Sequence, residues 1–206
     1  MYTLMGLALV VRMFDASGES PAARLAAMQA ASAILRIADV AATWVDCSKG
    51  SGTASHLVCT DPLAPGELVV RIARAPKVPT QKSTGAKAEV HQTLGYSMIE
   101  PAVGGTLATV FSDRVAWLAS SARAKYTDLL GRAVAHEIGH LLIGANEHSS
   151  SGLMRALWTS AELGRNNDAD WCFTANDRSR LHHSRETGRE QIQLAGSSAD
   201  LTPNES

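Results

Sequence analysis

The chain has 206 residues, with 19 Lys and Arg against 20 Asp and Glu, and a formal net charge of -1 at pH 7. This length suits one domain that can bury a sizeable core. Because the charges are mixed in sign and form no basic stripe, the sequence disfavours nucleic acid and anionic membranes as partners. The apolar start, residues 1–11, is too short to span a bilayer and lacks the features of a signal peptide. We expect a monomer with no membrane partner.

The first part of the chain predicts three strands and one helix. Leu4–Asp15 is a mostly apolar run that ends in a turn, and it predicts a buried strand that includes most of the apolar start. Ser20 as N-cap and Pro21 at the first helical position begin an Ala-rich helix. Val40–Asp46 and Glu67–Ala73 predict two further strands. Since a helix joins the first two strands, the order favours parallel neighbours.

The middle of the chain is less regular. Ala75–Thr93 is polar and contains two prolines, which predicts a long surface loop. A short strand is expected at Leu94–Ile99, and Thr106–Phe111 is also β-prone. Ser112 is then expected to cap a short helix.

The main helix follows, with Thr127 or Asp128 as its cap, and it runs to Gly144, a residue well placed to end it. Thr174 is a good N-cap for one more helix, to about His183. Residues 186–206 are polar and predict a disordered tail. The predicted domain therefore covers residues 1–185.

The three cysteines are Cys47, Cys59 and Cys172. The first two flank a loop rich in Gly, Ser and Thr, which a disulfide would tie down in an exported protein. Two free, half-buried thiols are the alternative. A disulfide here favours a secreted or extracytoplasmic location. Cys172, between Trp171 and Phe173, is expected to be a packed free thiol.

The most informative segment is His136-Glu137-Ile138-Gly139-His140, which spells H-E-x-x-H inside the apolar main helix. Residues four apart share one face of a helix, so two imidazoles can bind one zinc ion while the Glu reaches a water on the metal. A surface helix with two unrelated histidines is the alternative. The uncharged, apolar flanks of the motif argue against that alternative, because a solvent-facing helix would carry charges there.

Catalytic zinc takes three protein ligands and one water, so a third ligand is expected. His148 follows His140 by eight residues, just past Gly144, and a tight turn there could bring its imidazole back to the metal. Ser151-Gly152-Leu153-Met154 is a Gly-containing turn that would place Met154 beneath the ligands. An ordinary core methionine is the alternative for Met154.

This arrangement resembles the metzincin clan of zinc metallopeptidases, whose pattern is H-E-x-x-H-x-x-G-x-x-H followed by a Met-turn. Here one residue is added before Gly144 and another before His148, and so the clan's strict spacing is not kept. The resemblance implies an α+β, zincin-like fold, with a twisted mixed sheet of about four to five strands packed on a backing helix and an active-site helix. It also implies that a sheet edge aligns the substrate, and Thr106–Phe111 is the strand expected to form that edge.

The resemblance further implies a zinc-dependent endopeptidase that hydrolyses a peptide or protein substrate. One Zn²⁺ would be bound by His136, His140 and His148, and Glu137 would act as general base toward the water on the metal. No tyrosine follows Tyr126, so the tyrosyl helper of some families in the clan is not expected.

Two alternatives stay open at this point. In a gluzincin-like peptidase, Glu162 would replace His148 as the third ligand. A zinc-binding, non-proteolytic protein of the same fold is the other alternative, and retention of Glu137 is the one argument against it. The remaining polar candidates are expected to be solvated or to form turns rather than bind metal: His56, His91, His182, His183, Asp168 and Asp170.

Overall fold

The computed structural model of the protein describes residues 7–49, 58–76, 93–100 and 104–183. Within these ranges a five-stranded mixed sheet packs against helices, which confirms the predicted α+β class. The strands and helices, in chain order, are β1 Leu7–Asp15, α1 Pro21–Ile37, β2 Val40–Asp46, β3 Glu67–Ala73, β4 Gly95–Glu100, β5 Gly104–Phe111, α2 Ser112–Ala122, α3 Tyr126–Ile143 and α4 Ser160–Arg165. A 3₁₀ turn at Asp168–Trp171 and a helical segment at 175–183 follow.

The sheet has the strand order β2-β1-β3-β5-β4. β1 pairs in parallel with both β2 and β3, as the strand–helix–strand order predicts, and β3 pairs in parallel with β5. β4 alone among the described strands runs antiparallel, against β5.

The prediction that Thr106–Phe111 forms the substrate-aligning edge is wrong. β5 lies between β3 and β4, and its last four residues, 108–111, are all buried, as an interior strand covered on both faces requires. The edge strand is β4, which forms from the segment predicted as a short strand at Leu94–Ile99. β4 therefore has one side free of any described strand.

One face of the sheet packs on α1 and α3, which gives the core two layers. On β1, every second residue is buried against the helices, namely Leu9, Val11 and Met13. The two helices approach closely at Gly131, where a Cβ atom would lie 2.5 Å from Cβ of Ala30 and 2.7 Å from the carbonyl oxygen of Ala27. The backing helix α1 therefore supports α3 along the middle of the core.

The predicted start of α1 is correct, whereas the caps predicted for the next two helices are wrong. Ser20 accepts a hydrogen bond from the Ala23 amide at 3.2 Å, and Pro21 is the first residue of α1. α2 begins at Ser112 itself, whose hydroxyl contacts the distant Ala73 carbonyl rather than capping the helix.

α3 begins at Tyr126, earlier than the predicted caps Thr127 and Asp128. Asp128 instead lies in the first turn of α3, where its carboxylate pairs with Lys125 at 2.9 Å and complements the helix dipole. Gly144 ends α3 with a φ of +72°, as predicted. Thr174 and Asp177 exchange capping hydrogen bonds at the start of the segment 175–183, which confirms the predicted last helix.

The opposite face of the sheet is covered at β1 by the segment before β3. Cys47 and Cys59 form a disulfide with their Cα atoms 5.5 Å apart, which confirms that predicted pairing, and Cys172 is free. Arg12 is buried beneath residues 58–67 and donates to the Asp61 carbonyl oxygen at 2.6 Å.

No helix in the described ranges has the length and apolar content needed to cross a membrane. Most of the predicted loop Ala75–Thr93 lies outside the described residues.

Candidate metal centre

α3 carries His136 and His140 one helical turn apart on the face that looks into the cleft. Both side chains are buried, with 8% and 4% of their surface exposed. Their ring centroids are 4.7 Å apart, and the two Nε2 atoms are separated by 3.0 Å. The i, i+4 spacing therefore brings two imidazole nitrogens to one point, as the motif predicts.

His148 lies beside this pair. The chain reverses at Gly144, and the ring of His148 comes within 5.4 Å of the His136 ring and 4.9 Å of the His140 ring. One nitrogen from each of the three histidines lies within 4.8 Å of the others. The added residues on either side of Gly144 are thus accommodated without moving His148 away from the pair.

Two backbone carbonyls fix the orientation of the buried imidazoles. Nδ1 of His136 donates to the Leu153 carbonyl oxygen at 2.9 Å, and Nδ1 of His140 donates to the Ala145 carbonyl oxygen at 2.8 Å. With the proton on Nδ1, each Nε2 presents a lone pair. Two lone pairs facing each other at 3.0 Å cannot bond to each other. A cation between them satisfies both, and three imidazole nitrogens are a donor set that zinc accepts.

Burial keeps these imidazoles neutral. Desolvation, followed by repulsion from His140, lowers the pKa of His136 to about 3, although the hydrogen bond to the Leu153 carbonyl oxygen opposes the shift. The pKa values of His140 and His148 are also lowered, in each case first by burial. Because metal ligation requires the neutral imidazole, these lowered pKa values favour the form of the three side chains that binds a cation.

Glu137 lies between His136 and His140 in sequence and has only 5% of its surface exposed. Burial raises the pKa of its carboxyl group to about 7, while a hydrogen bond from Ser97 opposes that shift. The Ser97 hydroxyl lies 2.7 Å from Oε2 of Glu137. A carboxyl group with a pKa near neutrality can both accept and release a proton at physiological pH.

The turn after His148 packs beneath the helix. Gly152 has a φ of +72°, the Leu153 carbonyl accepts the His136 hydrogen bond, and Met154 is buried with 1% of its surface exposed. A Cβ atom at Gly139 would lie 2.7 Å from Sδ of Met154 and 2.7 Å from Cε1 of Phe173. Gly139, inside the motif, therefore lets these two side chains pack directly against α3 at a position between the two histidines in sequence.

A cleft of about 980 Å³ opens over the histidines and Glu137. Its walls come from β4, from α2 and from residues 155–160. The lining side chains that sequence reasoning did not single out include Tyr96, Ser97, Arg114, Trp117, Arg155, Leu157 and Trp158. No sequence signal marked these residues, because they reach the cleft only through the packing of distant elements.

Trp158 packs against His136. Its ring packs edge-on against the His136 ring, with centroids 5.6 Å apart, and its Nε1 donates to the Leu153 carbonyl oxygen at 3.3 Å. The same carbonyl receives the His136 hydrogen bond, so one backbone oxygen connects both side chains.

Glu162 is engaged elsewhere. Its carboxylate accepts hydrogen bonds from the backbone and hydroxyl of Thr159 in a capping box, and it pairs with Arg155 at 3.4 Å. It does not belong to the three-histidine cluster found among the described residues. Asp168 and Asp170 lie in the 3₁₀ turn, and His182 and His183 lie in the last helical segment. His56 and His91 fall outside the described residues.

The comparisons with known proteins find a similar fold among solved structures. No family model matches the sequence, and no curated protein matches it. Among solved structures, the chain is similar to archaemetzincin from Methanopyrus kandleri, with a TM-score of 0.50 and 14% identity over 89% of this chain and 97% of that one. It is equally similar to metalloproteinase-II from Bacteroides fragilis, with a TM-score of 0.50 and 14% identity. That match covers 89% of this chain, which spans 54% of the Bacteroides protein.

Proposed function

We propose that the protein is a zinc-dependent endopeptidase in which His136, His140 and His148 bind one Zn²⁺ and Glu137 is the general base. The observation that carries this proposal is the convergence of three imidazole nitrogens within 4.8 Å, with the buried Glu137 next to the first of them in sequence. The donor set and the spacing of the two helical histidines both match catalytic zinc sites.

In this mechanism, the zinc ion and Glu137 would have separate roles in peptide hydrolysis. Zinc, when bound, supplies a Lewis acid that polarises the peptide carbonyl and lowers the pKa of a water molecule. Glu137 accepts a proton from the attacking water as the new C–O bond forms. The same carboxyl group donates that proton to the amine nitrogen as the C–N bond breaks. The raised pKa of Glu137, about 7, suits both transfers.

A peptide substrate is supported by two observations. β4 is an edge strand whose residues 95–97 line the cleft, so its free side offers backbone groups to an extended chain. The two solved structures with a similar fold are described as an archaemetzincin and a metalloproteinase. Both features favour peptide hydrolysis over another use of a zinc site.

The alternatives from the sequence are less well supported. The gluzincin-like arrangement needs Glu162 at the metal, but the described contacts of Glu162 are to Thr159 and Arg155. A non-proteolytic zinc protein would have no need for a buried carboxyl group beside the ligands, because burying an unpaired charge there costs stability. The Cys47–Cys59 disulfide supports a secreted or extracytoplasmic location, which belongs to the same proposal.

A peptide-library digest tests the function. The metal-free protein, prepared with a chelator, is incubated with the library before and after addition of one equivalent of zinc, and the products are identified by mass spectrometry. We expect internal peptide bonds to be cleaved only after zinc is restored. The proposal fails if the zinc-loaded protein releases no fragments from a broad library.

A further inference from the structure

Ser97 lies on the face of the edge strand β4 that packs against α3. The side chain is buried, with 8% of the residue's surface exposed, and its hydroxyl lies 2.7 Å from Oε2 of Glu137 and 2.8 Å from the Glu137 carbonyl oxygen. A hydroxyl has one proton, which these two acceptors share. This contact joins residues 40 positions apart and holds the carboxylate against the strand.

Gly95 lies on the same face of β4, two residues earlier. A Cβ atom at this position would lie 2.7 Å from Oε1 of Glu137 and 2.5 Å from the Thr109 carbonyl oxygen. The carboxylate therefore occupies the space that a side chain at residue 95 would fill. Each oxygen of Glu137 thus meets a different residue of β4: Oε1 meets Gly95, and Oε2 meets Ser97.

We propose that Ser97 is a positioning residue that holds the Glu137 carboxylate in its reactive orientation. The hydroxyl engages Oε2, and no donor within the described part of the chain reaches Oε1, which leaves Oε1 to accept the proton of the attacking water. This inference rests on the proposed peptidase function. It adds a residue whose side chain acts through Glu137 rather than on the metal or the substrate.

The hydrogen bond from Ser97 joins Glu137 to the strand on which a substrate would align. β4 both lines the cleft and carries the free edge on which an extended substrate would align. Ser97 therefore fixes the base relative to the same strand that would fix the scissile bond. Without the hydroxyl, the side-chain torsions of Glu137 regain freedom, and a smaller fraction of molecules holds the base in reach of the water.

The kinetic test compares S97A and S97T with the wild type. S97A removes the hydroxyl and S97T retains it, while S112A removes another buried serine hydroxyl from a residue that does not line the cleft. We expect S97A to lower kcat about 10- to 100-fold, as loss of a hydrogen bond to a charged group predicts, with KM and zinc affinity within about twofold of the wild type. S97T should recover most of kcat, and S112A should not reduce it.

A second readout does not depend on activity. The antisymmetric carboxylate stretch of Glu137 is isolated as the infrared difference between each protein and its E137Q counterpart, at about pH 9, where the carboxyl group is ionised. We expect S97A to shift this band and S97T to leave it near the wild-type position. If S97A does not fold, S97C, with a weaker donor of similar size, replaces it in both measurements.

An unchanged kcat in S97A, or a carboxylate band that coincides with the wild type, overturns the positioning role. A fall in kcat that S97T does not reverse, or that S112A reproduces, also overturns it. If the zinc-loaded wild type cleaves no peptide, the proposed function fails, and the infrared comparison alone decides whether Ser97 orients Glu137.

Discussion

Nε2 of His136 lies 3.0 Å from Nε2 of His140, although the hydrogen bonds made by both Nδ1 atoms leave each Nε2 with only a lone pair. Two acceptors at this distance repel each other, and a shared cation removes the repulsion. The close approach of these two nitrogens supports the proposed metal site, in which His148 is the third ligand.

We expect H148A to lower zinc affinity by at least two orders of magnitude, because one of three imidazole ligands is lost. E162A should leave zinc affinity unchanged, since the Glu162 carboxylate caps α4 and pairs with Arg155. Competition with a chromogenic chelator measures both. Unchanged zinc affinity in H148A together with a large loss of zinc affinity in E162A would instead support the gluzincin-like arrangement, with Glu162 as the third ligand.

Substitution of Gly139 tests the packing of Met154 and Phe173 against α3. A Cβ atom there would lie 2.7 Å from Met154 and from Phe173, so G139A should destabilise the fold by about 1–3 kcal/mol through overpacking. Gly164 is the matched control, because it lies in α4 and nothing lies within 4 Å of its Cβ position. G164A should be neutral or stabilising by up to about 1 kcal/mol. Urea unfolding measures both; equal effects would contradict the packing account.

The Cys47–Cys59 disulfide should stabilise the protein by a few kcal/mol, because it closes a short loop in the unfolded chain. Mass spectrometry of a non-reduced digest should find the two peptides joined and Cys172 unpaired. The double variant C47S/C59S should unfold at lower urea concentration, whereas C172S should change the midpoint little. Free thiols at both positions after oxidative export would remove the support for an extracytoplasmic location.

In the metal-free protein, the contribution of His136 to stability should decrease as the pH falls below 6.5. Burial depresses the pKa of His136 from 6.5 to about 3, so between these values the unfolded chain binds a proton that the folded state excludes. This contribution then falls by up to about 1.4 kcal/mol for each pH unit. Glu137, whose pKa is raised from 4.5 to about 7, acts in the opposite sense, but it is present in both the wild type and H136Q.

The comparison of metal-free wild type with metal-free H136Q therefore isolates the contribution of His136 to the pH dependence of stability. Urea unfolding at about pH 7 and about pH 4.5 measures the difference, and the wild type should lose more stability on acidification than H136Q does. Parallel losses in the two proteins would show that the buried imidazole is not kept neutral by the fold.

Local signals in the sequence predicted those parts of the molecule that depend on neighbouring residues. Ser20, Pro21 and Gly144 mark helix ends because capping and left-handed geometry act within one turn of the chain. The His136 and His140 pair follows from helical periodicity alone. The position of His148 near this pair could also be predicted from the sequence, because a single turn joins it to α3.

The order of the strands could not be read in this way. Thr106–Phe111 has the stronger β pattern, yet the edge position belongs to β4, because pairing with β3 on one side and β4 on the other buries β5. Ser97 and Trp158 were missed for a related reason. Their contacts with Glu137 and His136 arise only when a strand and a loop distant in sequence pack on α3.

E137Q separates zinc binding from peptide hydrolysis at Glu137. We expect the purified variant to bind one zinc with wild-type affinity but to cleave peptides about 100- to 10,000-fold more slowly, because it loses only the group that moves protons. Zinc content and the rate of peptide cleavage, measured on the same preparation, decide the matter. An E137Q variant that binds zinc and cleaves peptides at the wild-type rate would show that Glu137 is not the general base.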